Sequence, residues 1–166
     1  MRFPDASFDR VICNMGVMYF PDPLRGLAEM RRVLRAGGRV AVSVNTAPET
    51  ALVSRILPIM DRLSPPVTAR SGPNSFDGSE QHMRRLLTAA GFQDVATSTN
   101  RWRLPFTSFD AYFGGIEQGA GNVGQEYLAL PETAQKVVRE ETRALVGDTG
   151  GAIEIEITIT FASGKR

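Results

Sequence analysis

The 166-residue chain has one cysteine, Cys13, and one histidine, His82. A disulfide within the chain is thereby excluded, and so is any Cys/His zinc-ligand set. So little cysteine suits a reducing, cytoplasmic setting. Charge of one sign is also missing: 19 Lys and Arg face 18 Asp and Glu, a formal net charge of +1. Nucleic-acid binding ordinarily needs a basic surface, so no nucleic-acid partner is expected. The one basic cluster, Arg31, Arg32 and Arg35, falls inside a helical pattern and reads as a solvated helix face. No apolar run approaches the roughly 20 residues of a membrane span, and no membrane partner is expected. Residues Met1–Asp5 lead into no apolar stretch of the signal-peptide kind. Repeats and low-complexity tracts are absent. What remains, 42% hydrophobic and 22% charged residues, is enough for one domain with its own core.

Strand and helix signals alternate along this background. Residues Phe8–Val17 form a short apolar run and predict a strand buried on both faces. Asp22 and Pro23 then supply an N-cap and a first helical residue. Leu24, Leu27, Ala28 and Leu34 predict the buried face of that helix, and Gly37-Gly38 its end. Arg39–Val44, rich in β-branched residues, predicts a second strand. Ala51–Leu63 has helical character interrupted at Pro58. Ser64–Gly78 carries five Pro or Gly residues and reads as a long loop, so 48–78 is expected to be a variable lid or insert.

Ser79 caps a further helix with Met83, Leu86, Leu87 and Ala90 on one face and Gly91 at its end. Asp94–Arg103 predicts a strand ending near Pro105, and Ser108–Glu117 a short helix. Gly119–Gly124 reads as a glycine-rich loop that opens no clear helix. Pro131 opens a helix whose expected inner face is Ala134, Val137, Val138 and Leu145. Last, Ile153, Ile155, Ile157, Ile159 and Phe161 alternate with polar residues, the pattern of a strand with one packed face. Strands alternating with helices imply an α/β layered sheet.

The ordered set Phe3–Phe8, Asp9, Phe20-Pro21-Asp22, Glu29, Arg32-Val33-Leu34 and Gly37-Gly38-Arg39 resembles the middle of the small-molecule S-adenosylmethionine-dependent methyltransferases often called type 11. Leu86–Val95 is similar to that family's later helix–Gly-Phe–strand phrase, and the resemblance thins after Val44. It implies a partial Rossmann-like fold: the C-terminal half of one methyltransferase domain, spanning 1–166. A four-stranded mixed sheet flanked by helices would be ordered Phe8 strand, Arg39 strand, C-terminal strand, Asp94 strand, with the C-terminal strand antiparallel. The strand–helix units that carry the glycine turn, the ribose acid and the adenine contact would be missing. The loop at Gly119-Ala120-Gly121 cannot replace them, because it follows a helix rather than a strand.

By the resemblance, Asn14, with Cys13 and Met15 beside it, faces the methionine part of S-adenosylmethionine, and Met18, Tyr19 and Phe20 lie near the transferred methyl. Each has a structural alternative: for Asn14, a polar residue satisfying the strand end, and for Cys13, plain core. Phe76, Trp102 and Tyr112, with Tyr19, are expected to line the small-molecule acceptor's wall, or else to be core aromatics. No residue is marked as a catalytic base, His82 being a weak candidate. The implied function is methyl transfer to a small molecule by a longer or complemented enzyme, the chain alone being inactive. The competing reading is a non-catalytic interaction module. The unprotected Phe8–Val17 edge suggests a homodimer or a complementing N-terminal half.

Overall fold

A computed structural model describes residues 2–46, 52–65 and 76–166. Positions 48–51 and 66–75 of the expected insert lie outside the described residues. The elements are β1 (Phe8–Asn14), a 3-10 turn (Val17–Tyr19), α1 (Pro23–Val33), β2 (Leu34–Asn45), α2 (Leu52–Leu63), α3 (Glu80–Ala89), β3 (Gln93–Phe106), α4 (Phe109–Glu117), α5 (Gly121–Leu128), α6 (Glu132–Leu145) and β4 (Ile153–Lys165). The sheet has the expected order β1-β2-β4-β3. β1 runs parallel to β2, and β4 antiparallel to it. The chain divides into two compact units: Met1–Ala47, Ser71–Arg101 and Thr158–Arg166 form the first, and Pro48–Arg70 and Trp102–Ile157 the second.

In the first unit α1 starts where its caps direct. The Asp22 carboxylate accepts from the Arg25 N–H at 2.9 Å, and Pro23 is the first helical residue. Its buried face is Leu27, Met30 and Val33, whereas Leu24 and Ala28 are exposed. α3 begins at Ser79, whose hydroxyl accepts from the His82 N–H, and Gly91 beyond its end takes φ +85°. The inner sides of α1 and α3 meet Val40, Val42, Val44 and Ala162 of the sheet in one core. The opposite sheet face is open at Ile12, 76% exposed, and at Ala41.

Two expectations change here. The first strand is not buried on both faces: Val11 and Cys13 pack against the core while Ile12 on the other face is exposed, and among the described residues the strand pairs with β2 alone. It also ends at Asn14, where Met15 takes φ +52° and turns the chain. Gly37-Gly38 does not stop the helix, which already ends at Val33. Instead the pair lies in an outward fold of β2: Phe8 pairs with Leu34 and Arg10 with Arg39, so β2 advances further than β1 between these pairs. Gly37 takes φ +77° there. A Cβ at Gly38 would meet the Arg35 carbonyl at 2.9 Å and the Asp9 carbonyl at 3.1 Å. The terminal residue closes the fold, since Gly37 N–H donates to the Arg166 carbonyl and Arg166 N–H to the Gly38 carbonyl. The Arg166 guanidinium donates to the Arg32 and Leu34 carbonyls.

The second unit is built on stacked Phe109 and Phe113, 5.1 Å between centroids, with Tyr127 edge-on to Phe113. Arg139 lies over both phenylalanine rings and pairs with Asp110 and Glu117. α6 buries Ala134, Val138 and Thr142, each four residues apart. The expected inner residues Val137 and Leu145 are exposed. The glycine-rich segment does open a helix, α5, with Gly119 and Gly121 at positive φ before and at its start.

Strands β3 and β4 contribute to both units. The alternation along β4 is not uniform. Ile153 and Ile155 are buried in the second unit, but in the first the buried positions are Thr160, Ala162 and Gly164, and Phe161 is exposed. The change of parity falls where the strand passes from one unit to the other. Thr160 keeps its hydroxyl satisfied by hydrogen bonds with Thr46 and Thr99. β3 runs through Pro105, and its stretch Asn100–Pro105 is exposed.

Gly38→Ala is expected to lower unfolding stability by about 1–3 kcal/mol in urea titrations, since backbone rather than a flexible side chain must move. The Glu29–Arg32 pair is structural: two hydrogen bonds from the guanidinium, at 2.9 and 3.0 Å, hold the carboxyl at about 2 against a usual 4.5. A depressed carboxyl pKa stabilises the fold above its unfolded value, and that contribution fades as pH falls from about 4.5 toward about 2. Carbon-detected NMR titration should show Glu29 returning toward its usual range in Arg32→Met.

Candidate functional site

The corner after β1 is assembled by pairing with β2. Asn14 lies opposite Ser43, and Cys13 opposite Val42. Because side chains alternate, Cys13 points with Val42 toward the core, while Asn14 and Ser43 share the other face. The Ser43 hydroxyl donates to Asn14 Oδ1 at 2.5 Å. The same hydroxyl accepts from the Met15 N–H at 3.0 Å, and that N–H also reaches the Ser43 carbonyl. Ser43 is buried and Asn14 exposed, so the pair has an anchored inner end and a free outer end.

The turn that follows is tight. A Cβ at Gly16 would meet Cys13 Sγ at 2.6 Å, so glycine is what the half-buried thiol tolerates. Burial pushes that thiol's pKa up, against the pull of the Gly16 and Val17 backbone N–H groups. A thiol so disposed stays protonated and packs as a small apolar group. Val17 and Met18 are buried in the 3-10 turn, whereas Tyr19 is 55% exposed beyond it.

The expected acceptor-wall residues fall in different units. Phe76 belongs to the first, packed against its core and edge-on to His82 at 5.5 Å. The His82 ring also lies 3.8 Å from the Asp77 carboxylate. Trp102, 39% exposed, and Tyr112 belong to the second unit. Tyr112 is half-buried, edge-on to Phe106, and burial lifts its phenol to about 12. It is therefore no base at neutral pH. Among the described residues no cluster of His, Cys, Asp and Glu is placed to hold a metal ion, and no helix is long and apolar enough to cross a membrane.

Ser43 is the member that the sequence reading missed. Its signal is slight: one hydroxyl at a buried position among valines, in Val40-Ala41-Val42-Ser43-Val44.

Residues 1–42 match the type 11 family described as "Methyltransferase domain". Demethylmenaquinone methyltransferase of Deinococcus radiodurans is 34% identical over 105 residues, covering 56% of this chain and 44% of its own length. Nocamycin O-methyltransferase of Saccharothrix syringae is 27% identical over 176 aligned residues, covering 98% of this chain and 62% of its own length. The crystal structure of the YcgJ protein of Bacillus subtilis superposes with a TM-score of 0.57 at 20% identity, over all of this chain and 67% of that one. This chain spans about half the length of the curated relatives it matches. By these matches the chain is related to the S-adenosylmethionine-dependent methyltransferases and carries part of their Rossmann-like fold.

Proposed function

We propose that this chain supplies the C-terminal, acceptor-side half of a methyltransferase domain that moves a methyl group from S-adenosylmethionine to a small molecule. The carrying observation is the Asn14–Ser43 corner, at the C-terminal end of two parallel strands, with Asn14 inside the segment that matches the family and Ser43 just beyond it. In open α/β sheets ligands bind at that end of the strands. An exposed amide on a buried anchor fits one polar contact to the amino-acid end of the cofactor. Cys13 and Met15 flank it as wall, and the ribose and adenine contacts come from outside this chain.

S-adenosylmethionine, when bound, supplies an electrophilic methyl. The chain's own task is then to bind and orient an acceptor, which accounts for much of the rate in such a transfer. Tyr19 and Phe76 are assigned as apolar acceptor-side surface of the first unit, and Trp102 and Tyr112, separately, as apolar surface of the second. A cytoplasmic setting accords with the single reduced thiol.

The open face at Ile12 and the one-sided β1 favour completion by further polypeptide: the preceding part of a longer protein, a second copy or a separate N-terminal half. A non-catalytic interaction module would use the same edge. The two readings part on cofactor affinity. Joining the preceding part of the Deinococcus relative to this chain should give a protein that binds S-adenosylmethionine in calorimetry. Asn14→Ala should weaken that binding about tenfold, the worth of a hydrogen bond or so. No binding by the joined protein would favour the module.

The isolated chain should show no micromolar affinity for S-adenosylmethionine in the same instrument, and such affinity would refute the divided-site reading. Light scattering should find it as a dimer or larger. A stable monomer of 18.1 kDa would mean that the open edge is otherwise covered.

A further inference from the structure

We propose that Ser43 is a positioning residue that fixes which way the Asn14 amide faces, so that this corner presents N–H donors and takes an acceptor oxygen, such as the cofactor's carboxylate, rather than an ammonium group. The inference rests on the cofactor reading above and makes it more specific. An asparagine amide has a carbonyl end and an amino end of nearly equal size, and only its partners decide which is presented. Here the Ser43 hydroxyl already accepts from the Met15 N–H at 3.0 Å, leaving its own proton free to donate. The contact to the Asn14 side chain is 2.5 Å. With that proton donated to the Asn14 Oδ1, the amide carbonyl faces Ser43. The Nδ2 group is then turned away from the buried serine and into the open.

The anchor is rigid for reasons already on the page. Ser43 is 4% exposed and sits in β2, which is paired on both edges. Opposite it across β4 lies Phe161. Met15, at φ +52°, is held by the same hydroxyl, so the turn and the amide share one anchor. Removal of the hydroxyl frees the amide to rotate and leaves the Met15 N–H only the Ser43 carbonyl.

Nuclear magnetic resonance on the isotope-labelled chain decides this. In the ligand-free protein, both Asn14 amide protons should exchange freely with water and show no Overhauser contact to the Ser43 β-protons. Ser43→Ala should bring contacts between those protons and residue 43, and Ser43→Thr should remove them again. A protected Asn14 amide proton in contact with Ser43 in the unmodified chain overturns the proposal. Titration with S-adenosylhomocysteine to millimolar concentration should move the two Asn14 amide signals downfield, while 5′-methylthioadenosine, which lacks the amino-acid end, should not. Movement of Met15–Val17 signals with the Asn14 amide silent, or no movement at all, also overturns it. The cofactor reading is judged separately, by the affinity of the joined protein, so the two can fail independently.

Discussion

Strand β2 is held on both edges, parallel to β1 and antiparallel to β4, and the first unit depends on that double pairing. Its two faces carry different tasks. Val40, Val42 and Val44 go to the core with α1 and α3, and Ser43 goes to the opposite face to meet Asn14. A slip of one residue would exchange the two sets. The register is pinned at the start of the strand, where the Arg35–Gly38 outward fold lets β2 resume against β1 at Arg39 and receives the main chain of Arg166. The site and the core therefore share one alignment, and its pin lies at the far end of the strand from the site.

The second unit rests on a different principle. Its helices gather around stacked rings capped by guanidinium groups, with Arg139 and Arg143 both over aromatic faces and both paired to Asp110. This keeps charge beside an aromatic core without leaving it unpaired. The spacing Ala134, Val138, Thr142 keeps the buried stripe of α6 narrow, and the Thr142 hydroxyl returns to the Val138 carbonyl.

Much of the fold was legible because its signals are local. Asp22, Ser79 and Ser108 each cap the helix that their positions announce. The sheet order followed from the family phrase around Arg32-Val33-Leu34 and Gly37-Gly38-Arg39 rather than from any periodicity. What failed depends on partners distant in sequence. Glycine pairs announce unusual backbone, but not whether it ends a helix or lets a strand fold outward, and Gly37-Gly38 did the latter. The Ile153–Phe161 alternation shows a strand, but not that its buried side changes between Ile155 and Thr160. At the candidate site, Asn14 was singled out by motif. Its partner Ser43 was not, because nothing local to a valine-rich strand reveals a hydroxyl aimed across to its neighbour.

The sheet's two outer strands are unlike, and this bears on how far association could spread. β3 ends one side, and its exposed stretch carries Arg101, Arg103 and Pro105. Two guanidinium groups near a proline, which has no N–H to give, make a poor template for another strand. β1 ends the other side, and from Val11 to Asn14 it has neither charge nor proline. A sheet adhesive at both margins would add copies without limit, as fibres do. Were only one margin adhesive, strand-to-strand addition would be self-terminating, because two copies joined there would each offer only the blocked side. The arginines and proline of β3 thus leave that margin ill suited to pairing with a further strand.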